Sequence, residues 1–152
     1  MYIIYYMEYE LITKQIEAII EKDLPLVSNL SNASAILNQL ENINWCGFYL
    51  VDNGRLILGP FQGEVACTVI EYGKGVCGTS FMQKETIIVD DVNQFVGHIA
   101  CSSKSRSEIV VPILKNNNVV AVIDIDSPIY NRFNTEDKKG LEEISGIISR
   151  LF

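Results

Sequence analysis

The sequence predicts an α+β fold: an antiparallel sheet covered on one face by helices drawn from the two ends of the chain. Three observations carry that reading. Helical periodicity is concentrated toward the termini, with apolar residues recurring every three or four positions in the first forty residues and again from residue 135 onward. The middle of the chain is built from short runs of aromatic and β-branched residues. Two pairs of those runs are joined by turns that tolerate positive φ, Asp52-Asn53-Gly54 and Asn116-Asn117-Asn118, which is the signature of hairpins. Helices segregated from strands in this way stack on one sheet face. The middle loops and one short helix must then cover the other.

Each element has its own justification. Leu11, Ile12, Ile16, Ile19 and Ile20 give a first helix over 9–22, and Pro25 follows closely. The six residues before Met7 match no pattern, so Met7 is the expected biological start and residues 1–6 an upstream extension. Pro25 opens a second helix, where its missing donor costs little, continuing through Leu30, Ala33, Ile36, Leu37 and Leu40 to a loop at residues 42–44. WCGFYLV and RLILGPF form the first hairpin, and a third strand is expected over residues 64–72. GKGVCGTSFMQKE reads as a glycine turn and a short helix, ETIIVDDV as a strand, and 93–106 as an irregular loop with at most a short helical turn. SEIVVPILK and VVAVIDID form the second hairpin. The last helix starts at Asn134-Thr135-Glu136-Asp137, where Asn134 or Thr135 caps and the acids suit the positive helix end.

Length and charge exclude several functions. At 152 residues, with no linker or repeat, the chain is one domain, 1–152. Its 12 basic and 19 acidic residues give a net charge of −7, which argues against nucleic acid as a partner, since a duplex-binding surface needs clustered Lys and Arg. The opening MYIIYYMEYE lacks a basic leader region, and its apolar run is too short to span a bilayer, so no membrane is involved and a cytoplasmic location is expected. In that reducing compartment Cys46, Cys67, Cys77 and Cys101 are expected to rest as thiols, and packing, metal binding and catalysis all remain open to them.

The strand VVAVIDIDS concentrates the chemistry. Strand alternation puts Val120, Val122, Asp124 and Asp126 on one face and Val119, Ala121, Ile123 and Ile125 on the other. The second face belongs against helices. Two carboxylates therefore leave an otherwise apolar strand on the opposite side, where they need a cation, hydrogen-bond donors or solvent. Glu108 opens the partner strand and can reach them through the hairpin register. Mutual repulsion would raise one proton affinity, as a general acid requires; solvated acids at a strand end are the plainer alternative.

Cys67, Cys77 and Cys101 stand ten and then twenty-four positions apart, without the close spacing of structural zinc sites. Cys46 sits in a strand and packing explains it; Cys67, alternating with Val65 and Val69, could be core as well. Cys101 differs, lying in a polar loop near His98, Lys104 and Arg106, where a thiolate is favoured. His98 and Cys101 could also suggest a hydrolase dyad, although such partners usually come from distant segments, and His98 alone reads as a structural histidine. GKGVCG lacks the spacing of phosphate-binding fingerprints and reads as a tight turn beneath a helix.

Five motifs in order, GPFQGEVAC (59–67), GKGVCG (73–78), GHIAC (97–101), SEIVVPI (107–113) and IDIDS (123–127), closely resemble the free methionine-(R)-sulfoxide reductases, which are single GAF domains. The likeness runs from about residue 44 to the C-terminus. It implies a GAF-like fold with a ligand cavity under the loops, and reduction of free methionine-(R)-sulfoxide. Carried over motif by motif, it implies Cys101 as nucleophile, Cys67 as principal resolving thiol and Cys77 as a second one. Glu108, Asp124 and Asp126 would bind and protonate the substrate, with Trp45 and Tyr49 around its methyl-sulfur end. Thioredoxin would be the reductant, with no metal or organic cofactor, and a homodimer is compatible. Val96 departs from a common proline, Ser102 from a common acid after the nucleophile, and Cys46 adds a fourth thiol. The rival readings are a GAF sensor module that binds a small ligand and catalyses nothing, and a cysteine-dependent hydrolase.

Overall fold

The computed structural model describes residues 2–99 and 101–152; Met1 and Ala100 of the GHIAC motif lie outside them. The order of elements is α1 (Tyr2–Ile19), α2 (Leu26–Leu37), β1 (Trp45–Asp52), β2 (Arg55–Gln62), β3 (Val69–Ile70), α3 (Gly75–Gln83), β4 (Ile87–Val89), a 3₁₀ turn (Val92–Gln94), β5 (Ser107–Lys115), β6 (Asn118–Ser127), α4 (Thr135–Ile148) and a closing 3₁₀ turn. All six strands join one antiparallel sheet in the order β3-β2-β1-β6-β5-β4. β1 and β6 are thus central, flanked by the other strand of each hairpin. The α+β, GAF-like architecture expected from the sequence is the one observed.

One sheet face carries the main core. Ile12 and Ile16 of α1, Leu30, Ala33 and Leu37 of α2, and Leu141, Ile144 and Ile148 of α4 pack on Cys46, Phe48, Ile109, Val111, Ile113, Ala121, Ile123 and Ile125. The Asn134 cap expected from the sequence is realised as a capping box, its side chain accepting from the Glu136 and Asp137 amides while Asp137 accepts from the Asn134 amide. Asp137 also accepts from the Tyr9 hydroxyl at 2.8 Å and pairs with Arg132 at 3.0 Å, and Arg132 Nε donates to the Glu41 carbonyl. This buried network ties α1, the start of α4 and the loop before β1 together. A pair so enclosed is costly to break by removing one partner.

The structure corrects three expectations. The first helix begins at Tyr2, so the opening residues extend it, and its inward face is Tyr9, Ile12 and Ile16 while Leu11 and Ile19 face outward. The expected strand over 64–72 is reduced to Val69–Ile70, because the stretch before it leaves the ladder to satisfy side chains: the Glu64 carbonyl accepts from the Trp45 indole and the Cys67 carbonyl from the Tyr49 hydroxyl. Cys67 therefore sits in a loop, with Val65 exposed rather than in the core. Third, the pairing shifts between Ile113 and Leu114, matching Leu114 with Val119 and Ile113 with Ala121, so Val120 is the extra residue. That bulge moves Val120 to the helix-covered core and Val119 to the opposite one. Beyond it, Ala121 to Asp126 alternate as expected.

Candidate active site

The second sheet face is covered by α3 and the loops at 62–68 and 93–106, and the candidate site lies beneath them. Register brings its side chains together: Glu108, Asp126 and Trp45 stand in one row across β5, β6 and β1, and Val110, Asp124 and Gly47 in the next. Gly47 is required there. A Cβ at that position would lie 2.4 Å from Cβ of Phe61, whose ring stacks on Trp45 with centroids 5.2 Å apart. Trp45 in turn lies 6.0 Å from Tyr49, making an aromatic wall beside the acids.

The GKGVCG turn sets α3 over this wall. Gly73 and Gly75 adopt positive φ, and a side chain at Gly78 would meet the Glu71 carbonyl at 2.5 Å, so close packing explains the glycines. The turn thereby buries Cys77 face down on the acids. Cys77 Sγ and one carboxylate oxygen each of Glu108 and Asp124 lie within 4.8 Å of one another. The sequence spacing of the cysteines had pointed away from such a cluster, because Glu108 and Asp124 arrive from the sheet rather than from neighbouring positions.

Burial governs the electrostatics. It raises the proton affinity of Glu108 to about 8, with the Asp126 charge adding and a hydrogen bond from Asp124 opposing. Asp124 is raised well above the ordinary carboxylate range by burial and then by Glu108, and Asp126 by burial and then by Asp124. The Cys77 thiol is raised by burial and by the same acids. Burial lowers His98, whose Nε2 is 3.5 Å from Glu108 Oε2. One oxygen of Asp124, Oδ1, is buried and has no hydrogen-bond partner. The plain reading of these acids as solvated strand ends fails for Glu108 and Asp124, each 6% exposed.

Cys101 is joined to Cys67 by a disulfide with Cα atoms 5.8 Å apart, so those two are not resting thiols here; Cys46 and Cys77 are free. Cys101 borders a cavity of about 40 Å³ lined also by Trp45, Tyr49, Cys77, His98, Glu108, Asp124 and Asp126, among others. Every residue expected at the site from the sequence therefore borders this space or, for Cys67, bonds a residue that does. The basic residues near Cys101 have other roles. Lys104 pairs with Glu64 at 2.5 Å, linking the two cysteine loops, and Arg106 lies over the Tyr130 ring. Ser102, which replaces a common acid, accepts from the Lys104 amide at 3.2 Å and so shapes the turn as a short acid would.

Sequence reasoning missed Ser105, which is buried at the cavity wall and accepts from Asn44 Nδ2, and the Glu64–Lys104 pair. Glu64 and Lys104 each stand three residues from a cysteine of the pair, which was the only available signal.

Comparison with known proteins agrees with this geometry. The GAF domain family model matches residues 32–152. The free methionine-R-sulfoxide reductase of Saccharomyces cerevisiae is 49% identical over 133 residues, covering 82% of this chain and 74% of the yeast protein. The chain belongs to the free methionine-(R)-sulfoxide reductase family of GAF domains. Among solved members of that family, the reduced form of the Staphylococcus aureus protein is 51% identical with a TM-score of 0.90, covering 94% of each chain. The Neisseria meningitidis reductase, solved in complex with its substrate, is 42% identical with a TM-score of 0.90, covering 95% of this chain and 87% of that one. Among the described residues, no helix is long and apolar enough to cross a membrane.

Proposed function

We propose that this chain reduces free L-methionine-(R)-sulfoxide to L-methionine in the cytoplasm, with Cys101 as nucleophile, and that thioredoxin or a similar dithiol recycles it. One observation carries the reading: Cys101 is bonded to Cys67 at the mouth of a cavity walled by three acids. A sulfoxide oxygen leaves only once protonated, and Glu108 holds a proton near neutral pH and can give it up. The Cys101 thiolate attacks sulfur, the protonated oxygen passes from that sulfur to Cys101 Sγ as the substrate S–O bond breaks, and methionine departs, leaving the cysteine as a sulfenic acid. The substrate sulfur gains two electrons and Cys101 loses two. Cys67 then condenses with the sulfenic acid, releasing water and forming the disulfide; Cys77 is the alternative resolving thiol. An external dithiol returns both cysteines to thiols and itself becomes a disulfide.

Asp124 and Asp126 would hold the substrate ammonium, which supplies the cation they lack, and Trp45 and Tyr49 would enclose the methyl-sulfur end. With the disulfide formed, the cavity of about 40 Å³ holds about one water and no amino acid, so substrate entry requires reduction and movement of the 93–106 loop. The test is one turnover of the reduced protein without reductant. One methionine per chain and a Cys67–Cys101 linkage by mass spectrometry are expected. Absence of methionine, or equal turnover of a peptide containing the sulfoxide, overturns the proposal.

A further inference from the structure

The free Cys77 thiol, Asp124 and Glu108 form a cluster whose composition exceeds what the proposed reaction asks of it. Sulfur and two carboxyls meet within 4.8 Å, deep under α3, and remain together while Cys101 is tied to Cys67. Asp124 Oδ1 is buried without a hydrogen-bond partner, on a side chain 6% exposed. A bare acceptor in that setting is costly unless a hydrogen-bond donor or a cation meets it.

We propose that Cys77, Asp124 and Glu108, with one water completing the shell, bind a zinc-type divalent cation in the disulfide form of the protein. Sulfur and carboxylate oxygen are donors such ions take, and three of them with one water complete a tetrahedron. A cavity of about 40 Å³ has room for an ion and about one water, while it excludes an amino acid. A dication bound by the Cys77 thiolate and the Asp124 and Glu108 carboxylates leaves a net charge of −1, a smaller buried charge than the three ionised ligands alone. Binding would release the protons these groups otherwise hold, and it would pin Cys77 and Glu108. Resting on the proposed function, the cation bound to the disulfide form would occupy acids that methionine sulfoxide needs once that form is reduced, acting as an inhibitor and not as a cofactor.

The test uses the full chain in its disulfide form, where Cys46 and Cys77 are the only free thiols. Cobalt(II) titrated into it is expected to give a thiolate-to-cobalt charge-transfer band and tetrahedral visible absorption, both erased by stoichiometric zinc. Cys77→Ser should abolish the charge-transfer band, Cys46→Ser should keep it, and Asp124→Asn should weaken cobalt binding by about tenfold or more. Circular dichroism of each variant establishes that it is folded. No band in the wild type, a band that survives Cys77→Ser, or binding indifferent to Asp124→Asn overturns the site. The inhibitory role is read separately, as zinc inhibition of turnover that a chelator reverses and rising methionine sulfoxide does not relieve, since the substrate enters only the reduced form. A cobalt site in a chain that turns over no sulfoxide would sink the proposed reaction and leave the metal site standing.

Discussion

Cys46 and Cys77 are both buried free thiols, and they lie on opposite faces of one sheet. Cys46 faces the helices, its Sγ 3.3 Å from the Ser34 carbonyl in an otherwise apolar core, and burial pushes its thiol up to about 12. Nothing near it can react. Cys77 faces Asp124 and Glu108. The strand β6 makes the same division in alternate residues, sending Ala121, Ile123 and Ile125 to the helices and Val122, Asp124 and Asp126 to the cavity. The contrast teaches where stability and chemistry are stored. One face is packed as folding alone would choose, while the other gathers groups that folding alone would reject.

The largest expected effect falls on the chemical face. Cys101→Ser should lower turnover by at least about a thousandfold, since the nucleophile is lost outright. It should also remove a redox-dependent part of stability. The Cys67–Cys101 bond spans 34 residues, for which chain entropy gives about 4 kcal/mol as an upper figure. Denaturant unfolding with and without reductant should differ in the wild type and coincide in the variant.

Neighbours on β6 sharpen the comparison next. Ile123 is fully buried in the helix-facing core, so Ile123→Ala should cost about 2–5 kcal/mol while the folded fraction keeps its activity. Asp124→Asn should do the reverse, losing substrate affinity with stability unchanged or raised, because it removes an ionisable group from a site with an unpartnered oxygen. Equal destabilisation by the two substitutions, measured by urea unfolding, would erase the division between the faces.

Much of this division was legible in the sequence. The strand VVAVIDIDS announced two faces, the Asn turns set the hairpins, and the Asn134 cap stood at its predicted place. The candidate residues also converge, since the central strands were fixed by hairpin pairing and the motifs by resemblance. What escaped were features decided by side chains reaching across the fold. The stretch before β3 looks like a strand by composition, yet Trp45 and Tyr49 take its carbonyls. Val119 and Val120 look like simple alternation, yet a bulge exchanges them between cores. The metal-like grouping of Cys77 with Glu108 and Asp124 has no spacing in the sequence to betray it.

Glu108, on the chemical face, gives stability a pH dependence. Glu108 holds its proton in the folded chain up to about pH 8, well above the value of an exposed glutamate. The folded state thus binds more protons than the unfolded one between roughly pH 4.5 and 8, and stability must fall as pH rises through that window. One such group gives a slope approaching 1.4 kcal/mol per pH unit, about the value for one proton. Glu108→Gln should flatten the curve, as read by urea midpoints across the window. An unchanged slope would mean that Glu108 is ionised at neutral pH and cannot be the proton donor.

The smallest effect concerns the Lys104–Glu64 pair that links the two cysteine loops. Both side chains are about 60% exposed, so in spite of a 2.5 Å separation the pair should contribute at most about 1 kcal/mol, less as salt screens it. Lys104→Ala should leave unfolding almost untouched. Its effect should instead be kinetic, because Cys67 and Cys101 must meet within disulfide reach and the pair stands three residues from each. Rapid-quench trapping after one turnover should show disulfide closure slowed by a few fold, with methionine release unaffected and the wild-type rate falling toward the variant's at high ionic strength. If closure is equally fast in Lys104→Ala, the two loops are brought together by the fold beneath them, through Trp45 and Tyr49 gripping the 64–67 carbonyls, and the surface ion pair is incidental to the chemistry.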